Sequence, residues 1–223
     1  LFVLFALIGI MLPQDVQAVS ARYRCVWNDD PSTTMTIIWD QVSGKDAKLF
    51  YDEQDWGAEW ELYPKSQTPD EEKSGKGMSN TYVRLKNLKP DTKYYFVIKD
   101  SDSKSRRLWF RTAPDNDERP LSIIAGGDSR NNREVRRKAN MIVAKLRPDL
   151  IMFAGDMTAS DISSQWIEWM NDWQLTIPKD GKLTPIIAAR GNHEDSDYTM
   201  ISMFDVPHKK VRYALGVGGD LLR

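Results

Sequence analysis

Three short segments carry the residue types from which a hydrolytic metal site is built: Gly127-Asp128-Ser129-Arg130, Gly155-Asp156-Met157 and Gly191-Asn192-His193-Glu194. Each sets a glycine directly before a carboxylate or amide donor. Two carboxylates drawn into one crevice repel unless a cation lies between them, and carboxylate and amide oxygens are hard donors that suit divalent ions. The glycines let the backbone turn sharply and approach whatever is bound. The chemistry expected of such a set is metal-assisted hydrolysis.

Convergence requires that all three segments end on one edge, and the surrounding pattern supplies it. Leu121–Ala125, Asp149–Ala154 and Pro185–Ala189 read as strands. Asn132–Leu146 and Ser163–Leu175 read as the helices between them. This βαβαβ alternation implies a parallel sheet covered by helices. In a parallel sheet every strand C-terminus lies on the same edge, where open α/β sheets bind their ligands. Trp166, Trp169, Met170 and Trp173 follow i, i+3, i+4, i+7 spacing and read as a core stripe. The first helix carries Arg133, Arg136, Arg137, Lys138, Lys145 and Arg147 against the single acid Glu134. It reads as a solvated face, with attraction of an anionic substrate as the sharper alternative.

Before residue 113 the grammar differs. Short alternating runs such as Met35-Thr36-Ile37-Ile38-Trp39 and Thr92-Lys93-Tyr94-Tyr95-Phe96-Val97-Ile98 are separated by turn clusters such as Asp29-Asp30-Pro31-Ser32, the pattern of a β-sandwich. Trp56 and Trp60 flank Gly57 in a loop and read as packing. Cys25 is the only cysteine and reads as a half-buried strand residue. Residues 1–18 read as a secretory signal peptide clipped at its front: twelve uncharged residues, then Pro13 and a small-residue pattern ending at Ala18. The expected location is therefore secreted, periplasmic or extracellular, with no membrane span in the mature chain.

Composition bounds the rest. The 223 residues suit one large domain or two small ones, and 31 Lys and Arg against 32 Asp and Glu leave a net charge of −1. That balance excludes a global electrostatic case for nucleic acid as a partner.

Two resemblances follow from these residues. Leu85-Lys86-Asn87-Leu88-Lys89-Pro90-Asp91-Thr92-Lys93-Tyr94-Tyr95, with the closing Leu108-Trp109-Phe110-Arg111-Thr112 and Trp39, resembles a fibronectin type III domain. The three strand-end segments resemble the first three motifs of the calcineurin-like metallophosphoesterases, and a β domain placed ahead of them is similar to the purple acid phosphatase arrangement. The organisation implied is a signal peptide at 1–18, a fibronectin type III-like sandwich at 19–113, a linker at 114–120 and, at 121–223, the first half of an α/β metallophosphoesterase domain. By this resemblance two divalent metal ions (Fe, Zn or Mn) catalyse hydrolysis of a phosphate-ester substrate through a metal-bound hydroxide. Asp128 binds the first ion, Asp156 bridges both and Asn192 binds the second. His193 serves the leaving group or the phosphoryl oxygens, and Glu194 orients it.

The chain departs from the pattern in places. Arg130 stands where most of the family has a histidine, and Ala159 where purple acid phosphatases have a tyrosine. Arg130 is read either as a fork for the substrate phosphate or as the partner of a nearby acid such as Asp161 or Glu194. Because His193 and His208 are the only histidines, and Tyr213–Val217 reads as the start of another strand, the expectation is an N-terminal fragment with weak metal binding and little turnover. A non-catalytic extracellular binding protein is the alternative.

Overall fold

The computed structural model describes residues 20–207, 209, 210 and 214–218. The signal-peptide reading of residues 1–18 and His208 lie outside them. The alternating runs of the first half form β1 (Ser20–Val26), β2 (Met35–Gln41), β3 (Lys48–Asp52), β4 (Lys65–Gln67), β5 (Glu71–Gly75), β6 (Met78–Leu85), β7 (Lys93–Lys99) and β8 (Leu108–Arg111). β5-β6-β2-β1 pair on one side and β4-β3-β7-β8 on the other, giving the expected sandwich. Trp39, Val83, Tyr94, Phe96 and Phe110 fill its centre. The turn into β7 is pinned as the fibronectin-like segment implies. Leu88 is buried, and the Lys89 N–H donates to the Tyr94 hydroxyl at 2.8 Å. Trp60 packs on Phe50 with ring centres 4.9 Å apart, and the Trp56 indole donates to Asp52. Cys25 is fully buried rather than half-buried, and burial pushes its thiol well up.

The second half forms β9 (Ile123–Gly126), α1 (Arg133–Leu146), β10 (Leu150–Phe153), α2 (Ser163–Trp173), β11 (Ile186–Ala188) and α3 (Asp197–Phe204). β10 lies between β9 and β11 and is parallel to both. The sequence reading did not include α3. Its start is a Ser196 cap, whose hydroxyl accepts the Thr199 N–H. Of the further strand expected at Tyr213–Val217, the described residues 214–217 contain one bridged residue, Val217, and no strand.

The two halves share a sheet. β1 pairs in parallel with β11 through Val26 and Ile186, so the first sandwich sheet runs on as β5-β6-β2-β1-β11-β10-β9. The cause is legible in β2, which is buried at every position from Met35 to Asp40. A strand covered on both faces needs apolar residues on both faces. Ile37 packs into the sandwich, whereas Ile38, with Val26, Met78 and Tyr82, packs against Trp166, Trp169, Met170, Met203 and Phe204 of α2 and α3. The tryptophan stripe is thus core, as its spacing implies. The segment read as a linker is tied to both sides, because Arg119 donates to Asp91 at 2.9 Å and to Asp149 at 3.0 Å.

The basic face of α1 is also not simply solvated. Arg133, Arg136 and Arg137 converge on the Asp172 side chain of α2, which is fully buried, with nearest approaches of 3.2, 2.8 and 2.8 Å. Burial works to raise the Asp172 carboxyl, but the hydrogen bonds from Arg137, Arg136 and Arg133 prevail and hold it below the usual carboxylate range. Removing one partner of a buried ionic cluster strands the others. Asp172→Ala is therefore expected to cost about 3 kcal/mol in urea denaturation at neutral pH. Since the folded carboxyl titrates below the unfolded one, this stabilisation is complete above the ordinary carboxylate range and is lost as pH falls through the depressed value. The gap between wild type and variant is expected to close as the denaturation is repeated at progressively lower pH.

Candidate metal centre

The three loops at the C-terminal edge of β9, β10 and β11 are laced together by their main chains. Ala154 N donates to Gly126 O at 2.7 Å, Asp128 N to Gly155 O at 2.9 Å, Arg130 N to Asp156 O at 3.0 Å and Ala189 N to Phe153 O at 2.8 Å. The crossing is so close that side chains are excluded at two positions. A Cβ on Gly155, whose φ is +84°, would be driven into the Gly191 nitrogen, and one on Gly191 into the Asp156 carboxylate. Asp128, Arg130 and Asp156 themselves adopt left-handed backbone at φ of 51°, 36° and 53°. Aspartate visits that region more readily than most residues, and arginine does not.

Glu194 is the strap. Its carboxylate is completely buried and accepts three main-chain N–H groups: Gly191 at 2.7 Å, Met157 at 2.8 Å and Asp156 at 3.0 Å. It makes no hydrogen bond to the His193 ring, so the expected orienting role is replaced by one in which Glu194 locks the second loop to the third. The His193 ring is held instead by Ala159, whose carbonyl lies 2.7 Å from Nδ1. A carbonyl only accepts, so Nδ1 carries the proton and a neutral ring keeps its lone pair on Nε2. The His193 main-chain N–H donates to Asp156 Oδ1 at 3.0 Å. That bond, opposed by desolvation and reinforced by the charges of His193 and Arg130, holds the Asp156 carboxyl below its ordinary value.

Arg130 pairs with neither Asp161 nor Glu194. Its Nε donates to Asp128 Oδ1 at 2.6 Å and its Nη2 to Asp156 Oδ2 at 3.2 Å, so one guanidinium joins the two carboxylates expected to bind metal. Asp128 is 66% exposed at the side chain and Asp156 only 10%. Asn192 is exposed, and its amide makes no hydrogen bond among the described residues. The arrangement therefore brings Asp128, Asp156 and Arg130 into contact, with His193 and Glu194 bonded to the Asp156 main chain or carboxylate and Asn192 on the same loop.

Among the described residues no group of three or more His, Cys, Asp and Glu could hold a metal ion. Two carboxylates and an amide are nonetheless hard donors of the kind divalent ions take, and a positive charge already sits on both carboxylates. The donor chemistry fits a cation. Three donors serve one such ion in part, and the two-ion centre of the sequence reading requires more than the described residues supply. Sequence reasoning missed the Arg130 bridge and the Ala159 contact. The signal available for the first was an arginine two residues past a metal-competent aspartate.

Comparison with known proteins agrees with this layout. Residues 21–112 match the N-terminal domain of purple acid phosphatases, and residues 125–219 match the calcineurin-like phosphoesterases. No curated protein matches the chain. Among solved structures, that of PhoD is 12% identical, with a TM-score of 0.56, over 81% of this chain. The chain spans about 40% of the length of PhoD, and at this identity the likeness is one of fold. The fibronectin type III domain of human contactin 1 is 16% identical over 45% of this chain and 82% of its own, with a TM-score of 0.30. The two family models thus cover the sandwich and the βαβαβ unit in turn: the first half is similar to the N-terminal domain of purple acid phosphatases and the second to the calcineurin-like phosphoesterases.

Proposed function

We propose that the protein is a metal-dependent phosphoesterase that hydrolyses phosphate esters at the C-terminal edge of β9, β10 and β11. The observation that carries this reading is the contact of Asp128 and Asp156 through a shared positive charge, beside His193, in a chain that matches the phosphoesterase family. Divalent ions, when bound, supply acidified water and charge neutralisation on the phosphoryl oxygens. Asp128, Asp156 and Asn192 are the donors this chain contributes toward them.

The remaining roles belong to the protein. His193 is fixed through Nδ1 by the Ala159 carbonyl, so in its doubly protonated form it gives the Nε2 proton to the leaving-group oxygen as the ester bond breaks and is left as the neutral Nδ1–H ring. Arg130 keeps both Nη1 hydrogens outside its carboxylate pairs and offers them to a phosphoryl oxygen. Glu194 contributes by geometry, since a shift of the Asp156 or Gly191 main chain would move a metal donor with it. The uncharged run Leu1–Leu12 at the front of residues 1–18 supports a secreted, periplasmic or extracellular location, and no helix among the described residues is long and apolar enough to cross a membrane.

Two measurements test this reading. Mn2+ binding by calorimetry and metal-dependent hydrolysis of p-nitrophenyl phosphate are both expected to fall by roughly a hundredfold or more in Asp156→Asn. Hydrolysis that persists in chelator and in that variant would overturn the assignment and leave the binding-protein alternative. Separately, Glu194→Gln places a donor NH2 against main-chain N–H groups that a carboxylate now satisfies. It is expected to lower stability by about 3 kcal/mol in a chemical denaturation series, given that hydrogen bonds to charged groups are individually the stronger ones.

A further inference from the structure

We infer that the cavity between α1 and the β9–β10 face, which opens beside Asp128, receives the organic group of the substrate, so that the esters hydrolysed are those of apolar alcohols, alkyl or aryl phosphates. The inference rests on the phosphoesterase reading and specifies its substrate class. The cavity has a volume of about 300 Å3, at the lower end of the range of ligand sites. Ile124, Val135, Ala139, Val143, Phe153 and Trp173 supply its apolar lining, and Gly127, Asp128 and Ser129 of the first site loop line it as well. Site and cavity are thus continuous through one loop. A cavity of about half this volume, lined by aliphatic and aromatic side chains, holds a benzene ring.

Three of the polar side chains at its wall are turned to partners elsewhere. Asn140 Nδ2 donates to Asp172 O at 2.8 Å, Arg136 Nη1 to Arg130 O at 2.6 Å and the Ser129 hydroxyl to Met157 O at 3.0 Å. A group entering there meets contact surface rather than hydrogen-bond partners, which suits an alkyl chain or a ring and not a sugar or a second phosphate. Asp128 and Asn132, both exposed, form the polar rim. Arg130, bonded to Asp128, brings to that rim the cation a phosphate requires. Gly126 keeps the space open. It shares a face of β9 with Ile124, and its backbone does not call for glycine: its φ lies outside the left-handed region, its register with Phe153 of β10 is regular, and a Cβ placed on it meets no atom within 4 Å. At Gly127, Gly155 and Gly191, by contrast, a Cβ would collide with a neighbouring loop. A strand glycine that neither a bulge nor a crossing backbone explains marks a place where a ligand approaches closely.

The test is a chain-length series of probes that cannot be hydrolysed, titrated into the full chain by calorimetry with Mn2+ present: n-alkylphosphonates from butyl to octyl, and the matching alcohols. Phosphonate affinity is expected to rise roughly fourfold per added methylene, the gain for one CH2 taken out of water. The alcohols are expected to bind more weakly with the same increment. Gly126→Leu fills the cavity from the strand side and Ala139→Phe from the helix side. Each, once urea denaturation shows it folded, is expected to bind octylphosphonate roughly tenfold or more weakly than wild type and to flatten the series. Affinity independent of chain length in the wild type, or folded variants that keep the wild-type increment, would overturn the inference and leave the phosphoesterase reading standing. Phosphonates that bind no more tightly than their alcohols, with the increment kept, would remove both.

Discussion

A buried carboxylate with three main-chain N–H groups as its ligands sets the geometry on which the site depends. Glu194 draws Gly191, Asp156 and Met157 onto one side chain. Without it, two loops that cross too closely for any side chain at Gly155 or Gly191 would have two buried donors and one part-buried donor without this acceptor. The same bonds place the Asp156 carboxylate where the His193 N–H reaches it. Asp156 and the Gly191 loop are thus positioned by hydrogen bonds between loops, and the strands fix only where those loops begin. The arrangement also explains why the glutamate follows the histidine directly: the chain must fold back within three residues for Glu194 to meet Gly191.

Charge compensation is handled locally in two clusters of similar design. At the sheet edge one arginine serves two aspartates, Asp128 and Asp156. Behind it, three arginines of α1 serve one aspartate, Asp172. Arg136 joins them, because its Nη1 holds the Arg130 carbonyl while its Nη2 holds Asp172. The helix packing that buries Asp172 therefore bears on the backbone from which the Arg130 guanidinium extends, a chain of contacts that spans two helices and a loop.

Much of this was legible in the sequence, for a physical reason: the strand-end segments, the tryptophan stripe of α2 and the Leu88–Tyr94 corner are local patterns whose spacing dictates their geometry. What was not legible is non-local. The pairing of β1 with β11 rests on Val26 and Ile186, and no short-range signal announces it. The strongest hint was the doubly buried Ile37-Ile38 of β2, which reads equally as an ordinary sandwich strand. Asp172 lies 35 to 39 residues from the arginines it binds. The role of Glu194 was misassigned because adjacency to His193 suggested a contact, whereas its side chain is directed to the loops. Arg130 was expected to pair with an acid such as Asp161 or Glu194 and pairs with Asp128 and Asp156 instead, since Asp161 is engaged elsewhere.

That engagement shows why the sandwich is part of the site's support. Asp161, whose side chain is fully buried, binds Lys76 of the β5–β6 turn at 2.7 Å, the Trp166 indole at 2.6 Å, the Thr199 hydroxyl at 2.8 Å and the Asp195 N–H at 3.0 Å. One carboxylate thereby ties the sandwich to α2, to α3 and to the loop that follows Glu194. It also ends the Met157–Asp161 segment, within which the Ala159 carbonyl holds the His193 ring. A lysine from the β domain neutralises this buried acid, and removing it would leave the charge without a cation in a site of low polarity. The first half therefore supports the loops around Asp128 and Asp156 through an ion pair and a shared sheet, although among the described residues no side chain of its strands is bonded to those carboxylates.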